Sequence, residues 1–162
     1  SKLDKDGMET AKAALDKAAK KNIPLLLPVD NIAADKFDAN ADTKLVGEDI
    51  PDGWMGLDIG PKTVESFEAT LKSAKTVIWN GPLGVFEFER FSEGTTAVAK
   101  TISEMTRKAT TIIGGGDTLA AVEKAGLKGK FSHSSTGGGA MLELLEGKTL
   151  PGIAALAEAA AS

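Results

Sequence analysis

Cysteine is absent from this chain of 162 residues, and histidine occurs once, at His133. Without cysteine there are no disulfides and no thiolate metal sites, and cysteine usage says nothing about the redox compartment. With one histidine, a zinc site built from several imidazoles is excluded. No apolar run approaches the roughly 18 residues of a membrane span, and no basic-then-apolar signal segment is expected at the start, so the expectation is a soluble protein with no membrane partner. Positive charge is not in surplus: 19 Lys plus Arg face 23 Asp plus Glu, a net charge of −4. That balance gives no electrostatic reason for nucleic acid as a partner. Neither G-x-G-x-x-G nor G-x-S-x-G occurs, so a dinucleotide fingerprint and a nucleophile elbow are both unsupported.

What is present suits one ordinary globular domain, because 42% hydrophobic residues alongside 26% charged ones are enough for a core without disorder. Met8, Ala11, Leu15 and Ala18 recur at helical spacing, with Asp6 and Glu9 placed as an N-cap and its capping-box partner. The run IPLLLPV at 23–29 is too short for another helix and reads as a strand buried on both faces. A short strand over 43–46 and a turn at Pro51-Asp52-Gly53 follow. Gly60-Pro61 opens a helix with Val64, Phe67 and Leu71 on one face. Then come a strand at 76–79, a helix marked by Val98, Ile102 and Met105, a strand at 110–113 and a helix carrying Leu119 and Val122. This alternation predicts an α/β fold: a doubly wound, Rossmann-like parallel sheet with helices on both faces. The alanine-rich end either extends a helix or frays.

Three strand-to-helix connections are rich in glycine: NGPLG at 80–84, GGGDT at 114–118 and TGGGA at 136–140. In a doubly wound sheet such connections line one edge, outside the carboxyl ends of the strands, where ligands bind. Glycine lets the backbone approach a ligand, and the unpaired N–H groups of a helix start attract anions. The two triplets therefore read as backbone-lined anion sites facing one cleft. Asp117 beside them would repel a bare phosphate, which a Mg²⁺ ion between carboxylate and phosphates resolves; the plainer alternative makes Asp117 an N-cap in a tight turn. Gly147-Lys148-Thr149 imitates the end of a P-loop, but Leu142 stands where its first glycine belongs. His133 and the two tryptophans, Trp54 and Trp79, read as structural, and Glu87 with Glu89 as a solvated surface pair, although Glu87 follows the glycine loop closely enough to reach that loop's ligand.

WNGPLGVFEFE (79–89), IIGGGDT (112–118), HSSTGGGAMLELLEGKTLPG (133–152), LLLPVD (25–30) and GWMGLDIGP (53–61) together resemble phosphoglycerate kinase, in that family's order and over essentially the whole chain. The resemblance implies reversible phosphoryl transfer between 1,3-bisphosphoglycerate and ADP, giving 3-phosphoglycerate and ATP with Mg²⁺. It assigns Gly56, Leu57, Pro82 and Val85 to the adenine pocket, Asn80 to the nucleotide phosphates and Glu87 to the ribose. Gly115 and Gly116 amides would face phosphate oxygens, with Asp117 on magnesium and Thr118 on a phosphate. Gly137, Gly138 and Gly139 would present their helix start to the phosphoryl group in transfer. It makes residues 1–152 the later part of the nucleotide-binding domain and 153–162 a tail returning toward an amino-terminal domain. That domain, with the phosphoglycerate site, has no counterpart in this chain, nor do the lysines near the transferring group. A monomer is expected, in the cytoplasm or alternatively the plastid stroma. Ser134 stands where many members carry an aliphatic residue, and is expected at a buried strand end. The Ser1 start is consistent with processing or with a piece of a longer chain.

Overall fold

The computed structural model describes residues 4–161, so the readings of Ser1 and of the last tail residue, Ser162, lie outside the described residues. The chain divides into two compact units, Ser1–Thr70 with Leu83–Val98 and Leu71–Pro82 with Ala99–Ser162.

The first unit begins with helix α1 (Met8–Lys20). Its start is served from further back than expected: the Asp4 Oδ1 accepts N–H bonds from Asp6 at 3.2 Å and Gly7 at 3.1 Å. A short carboxylate reaches amides two and three residues ahead, leaving Gly7 as a bare N-cap. The helix stops at Asn22, which adopts a left-handed φ of 53°, while the Ile23 N–H returns to the Ala18 carbonyl at 3.0 Å. Its amphipathic pattern is real, yet α1 buries none of its residues.

The apolar run at 23–29 is not the buried strand expected of it. It forms no strand, and Ile23, Leu25, Leu26, Leu27 and Val29 are 42–57% exposed. Apolar composition makes a strand favourable only where a neighbour offers a ladder, and no strand pairs with this run among the described residues.

Pairing starts directly after it, at β1 (Asn31–Ala34), flanked by β2 (Thr43–Val46) and β3 (Met55–Ile59). Both partnerships are antiparallel, so this irregular stretch is a small antiparallel sheet rather than part of a parallel one. Ala34, Ala41, Leu57 and Phe91 form its buried cluster, with Ile32, Met55, Val85 and Phe88 packed on them. The Phe88 ring meets Phe37 at 5.2 Å and Phe91 edge-on at 6.3 Å. Phe91 ends a short 3-10 turn, Glu89–Phe91.

Helix α2 (Pro61–Leu71) starts at the proline, as expected, but its cap comes from Asp30. The buried Asp30 carboxylate accepts the Thr63 N–H at 2.8 Å, the Thr63 hydroxyl at 2.6 Å and the Lys62 N–H at 3.0 Å. Burial pushes this carboxyl up, and the Thr63 hydroxyl, the two amides and the Lys62 charge outweigh it, holding the group below its usual range. Helix α3 (Glu93–Met105) buries Val98 and Ile102, two of the residues whose spacing predicted it.

The second unit holds the parallel sheet. Strands β4 (Thr76–Asn80), β5 (Thr110–Gly114) and β6 (His133–Ser135) lie in the order β4-β5-β6. Val77, Trp79, Ala99, Ile102, Ile113, Ala121, Val122 and Phe131 are the buried apolar residues of this unit, to which the second half of α3 belongs. Helix α4 (Gly116–Lys124) joins β5 to β6, and α5 (Gly138–Leu145) follows β6. Gly147, the decoy glycine, has φ 83° just past the end of α5, the left-handed conformation that closes a helix. The alanine-rich end does extend a helix, α6 (Pro151–Ala161). Parallel strands flanked by crossover helices make the chain part of a doubly wound, Rossmann-like α/β domain.

Candidate functional site

The three parallel strands finish in one row, since Asn80 pairs in register with Gly114 and Gly114 with Ser135. Each loop that leaves this row is one of the glycine-rich segments. Gly115 turns sharply with φ 95°, its N–H donating to the Ser135 carbonyl at 3.0 Å. A Cβ on Gly115 would lie 2.7 Å from the Asn80 side-chain oxygen. One on Gly138 would lie 2.6 Å from that same oxygen. Asn80, Gly115 and Gly138 therefore meet at one point, as the shared-cleft reading requires.

The glycines divide into two kinds. Gly115 and Gly138 are required internally, the first by its positive φ and the second by the Gly115 backbone against it, whereas a side chain on Gly114 would meet only the movable end of Met141. Gly116 and Gly139 have nothing within 4 Å of a Cβ position, and Gly137 meets only ordinary contacts at 3.5 Å and beyond. None of these last three carries a positive φ. Neither packing nor backbone conformation calls for glycine there.

The helix starts differ in the same way. Asp30 fills the start of α2, and the Asp58 Oδ2 accepts the Gly94 N–H in the first turn of α3 at 2.9 Å. Helices α4 and α5 have glycine N-caps, Gly115 and Gly137, with no side-chain cap. Asp117 is not the N-cap; it is exposed in the first turn of α4. Thr118 is fully buried, and its Oγ1 accepts the Gly81 N–H at 2.7 Å, tying the turn after β4 to α4. Trp79 adds to that turn through its indole N–H, 2.7 Å from the Gly81 carbonyl. Pro82, at the end of this segment, is half-buried.

The remaining candidates, Gly56, Leu57, Val85 and Glu87, belong to the first unit. Leu57 and Val85 are brought together: the Val85 N–H donates to the Leu57 carbonyl at 2.8 Å. Gly56 and Glu87 are exposed. Sequence reasoning missed the buried Asp58 between them, whose carboxyl is pushed up to about 6 by burial, against the amides of Gly94 and Ile59 and with help from Glu93. Its one sequence signal was an acid alternating with glycines in GLDIG.

Two further expectations are settled here. His133 is exposed at the start of β6, opposite Ile112. Ser134 is exposed instead of buried: β6 is the last strand of its sheet, and Ser134 lines an open cavity of about 570 Å³ with Ile113, Leu119, Val122, Glu123 and Lys128. A Lys128–Glu123 ion pair of 2.6 Å stands at its rim. Among the described residues, no three His, Asp or Glu side chains gather as a metal cluster, and no helix is long and apolar enough to cross a membrane.

Residues 1–148 match the family described as phosphoglycerate kinase. The chain is 61% identical over 161 residues to phosphoglycerate kinase of Gloeothece citriformis, covering 98% of this chain and 40% of that protein. It is 58% identical to the cytosolic enzyme of Triticum aestivum, with 98% and 40% covered. With the chloroplastic enzyme of Volvox carteri the identity is 61%, with 98% and 35% covered. The solved structure of phosphoglycerate kinase from Coxiella burnetii superposes with a TM-score of 0.84 at 42% identity, over 90% of this chain and 38% of that one. The chain thus spans about two fifths of the length of the curated relatives it matches. Strand order, glycine loops and these likenesses agree, and the chain belongs to the phosphoglycerate kinase family.

Proposed function

We propose that this chain carries the nucleotide and phosphoryl side of a phosphoglycerate kinase, which transfers a phosphoryl group reversibly between 1,3-bisphosphoglycerate and ADP to give 3-phosphoglycerate and ATP. The observation that supports this most is the trio Gly116, Gly137 and Gly139, which lack any internal reason to be glycine and stand at the uncapped starts of α4 and α5. A ligand backing onto bare amides supplies the missing reason. In this reading the Gly116 amide holds nucleotide phosphates with Asn80, and the Gly138 and Gly139 amides receive the transferring group; Thr118 is buried, and the Gly115 and Gly137 N–H groups already donate to the Ser135 carbonyl and hydroxyl, so these three shape the loops from behind. Leu57 and Val85, with Gly56 and Pro82, wall the adenine, and Glu87 takes the ribose. Such transfer depends on positioning and charge stabilisation more than on covalent catalysis, so amides suit it.

Magnesium fits the exposed carboxylate of Asp117, since Mg²⁺ takes one or two carboxylates and fills its shell with phosphate oxygens and water. When bound it would neutralise charge on the phosphates. Phosphoglycerate is taken chiefly by a domain outside this chain; residues 1–152 belong to the nucleotide domain and 153–162 form a tail returning toward the other one. The protein works as a monomer in the cytoplasm, or in the plastid stroma, because both cytosolic and chloroplastic relatives are close. A second reading, an inactive nucleotide-binding or folding piece of that enzyme, is favoured by the apolar run at 23–29, whose large side chains are 42–57% exposed.

The glycine trio gives the test. Gly116→Ala and Gly139→Ala have room for the methyl group, and alanine should raise helix stability by roughly 0.5–1 kcal/mol. Both variants should melt later and bind ADP more weakly in calorimetric titration. Unchanged ADP binding in both would defeat the phosphate reading.

A further inference from the structure

We propose that Asp58 is a positioning residue for the wall that carries Val85: its buried carboxylate sets the loop at 83–86 against the start of α3, and Thr95 passes that placement on. The proposal rests on the nucleotide reading of that wall. All residues involved lie in the first unit.

Asp58 stands on β3, 4% exposed. Its Oδ1 accepts the Ile59 N–H at 2.9 Å and its Oδ2 the Gly94 N–H at 2.9 Å. Gly84 and Gly94 enclose the carboxylate, and a Cβ on either would collide with it. Neither has a positive φ, so it is crowding, and not backbone conformation, that calls for glycine: the acid and the Phe91 carbonyl close in on Gly84, and the Ile59 side chain and the acid on Gly94. Thr95 follows Gly94 and is 2% exposed. Its Oγ1 accepts the N–H of Leu83 at 3.0 Å and of Gly84 at 3.1 Å. The next amide, Val85, is held by the Leu57 carbonyl at 2.8 Å, one residue before Asp58. Three successive amides of the loop thus hang on β3 and the first turn of α3, and Asp58 is the side chain that joins those two supports.

Charge matters to this joint. A carboxylate binds a helix-start amide more strongly than a neutral group does, and protonation turns one of its two oxygens from an acceptor into a donor. Facing it are Ile32 at the paired position of β1, Gly84 of the loop with the Phe91 carbonyl beside it, and Glu93 with Gly94 from α3. Glu93 is the charged neighbour acting on it, and it favours the protonated form. Proton occupancy of Asp58 would therefore loosen the loop.

Adenosine is the probe, because it has no phosphate and so reports the wall without the glycine loops. Asp58→Asn and Thr95→Val in the 162-residue chain should each weaken adenosine binding about tenfold, and Thr95→Ser should restore it. Wild-type affinity should rise between pH 5 and pH 7, and that of Asp58→Asn should stay flat. In parallel, amide hydrogen exchange at Leu83, Gly84 and Val85 should quicken in both weakened variants, with the amides of β5 unaltered. Unchanged exchange at those three amides would overturn the positioning role. Failure of the wild-type chain to bind adenosine would overturn the nucleotide reading instead, and the exchange result would still decide the role of Asp58.

Discussion

Gly138 rests directly on Gly115, so that a Cβ on the first would lie 2.7 Å from the Cα and 2.9 Å from the nitrogen of the second. The obstacle is backbone, which cannot swing aside as a flexible side chain would. Gly138→Ala should cost roughly 1–3 kcal/mol through overpacking, seen as a lower urea midpoint with an unchanged slope. Its effect is opposite in sign to that of Gly139→Ala one residue on, and equal midpoints for the two variants would contradict the close approach.

Asp117→Ala should weaken ADP binding in the presence of Mg²⁺ by at least several-fold and leave metal-free binding nearly unchanged, because the carboxylate is proposed to act through the cation. Calorimetric titration with and without magnesium reads this directly. Equal losses in both conditions would reduce Asp117 to a favourable charge at the start of α4.

The two buried acids pull stability in opposite directions with pH. Asp58, raised to about 6 from an ordinary 3.8, binds more protons folded than unfolded between those values. Stability from this group is therefore full below about pH 4 and declines as pH rises to 6, by roughly 1–2 kcal/mol. Asp30 is lowered from 3.8, so its contribution is present above that pH and is lost on further acidification. Denaturation midpoints across pH 3–7 should show a slope between 4 and 6 that Asp58→Asn flattens, and an acid-side loss that Asp30→Asn diminishes.

The chain alone should bind ADP weakly and show no detectable turnover. One reacting partner of two would be held, and losing the groups that neutralise a transferring phosphoryl costs orders of magnitude in rate. A coupled assay on material verified by mass at 16.7 kDa measures this. Turnover near that of a full-length relative would mean that the catalytic machinery lies within these residues.

Local signals that need no distant partner were legible in the sequence. Gly60-Pro61 marked the start of α2, the spacing of Val98 and Ile102 marked α3, and IIGGGDT marked the end of β5. Signals that depend on a neighbour were not. The run at 23–29 has strand composition but no ladder, and residues 31–59 became an antiparallel sheet because β1 found β2 and β3 beside it. In the site, the glycine loops could be read, since glycine itself is the message. Asp58 and Thr95 could not, because an acid and a hydroxyl acquire meaning only when folding brings the amides of 83, 84 and 94 to them.

The exposed run at 23–29 also bears on how the chain behaves at high concentration. Five large apolar side chains at 42–57% exposure are sticky, and intermolecular cross-β stacking is the usual hazard of such a stretch. Here Pro24 and Pro28 bracket the three leucines. Neither proline has an N–H to offer a growing ladder, and the uninterrupted segment between them is shorter than the five to seven residues from which fibrils typically nucleate. Clumping of this chain should accordingly be amorphous and reversible by mild detergent, with the two imino acids acting as gatekeepers against fibres.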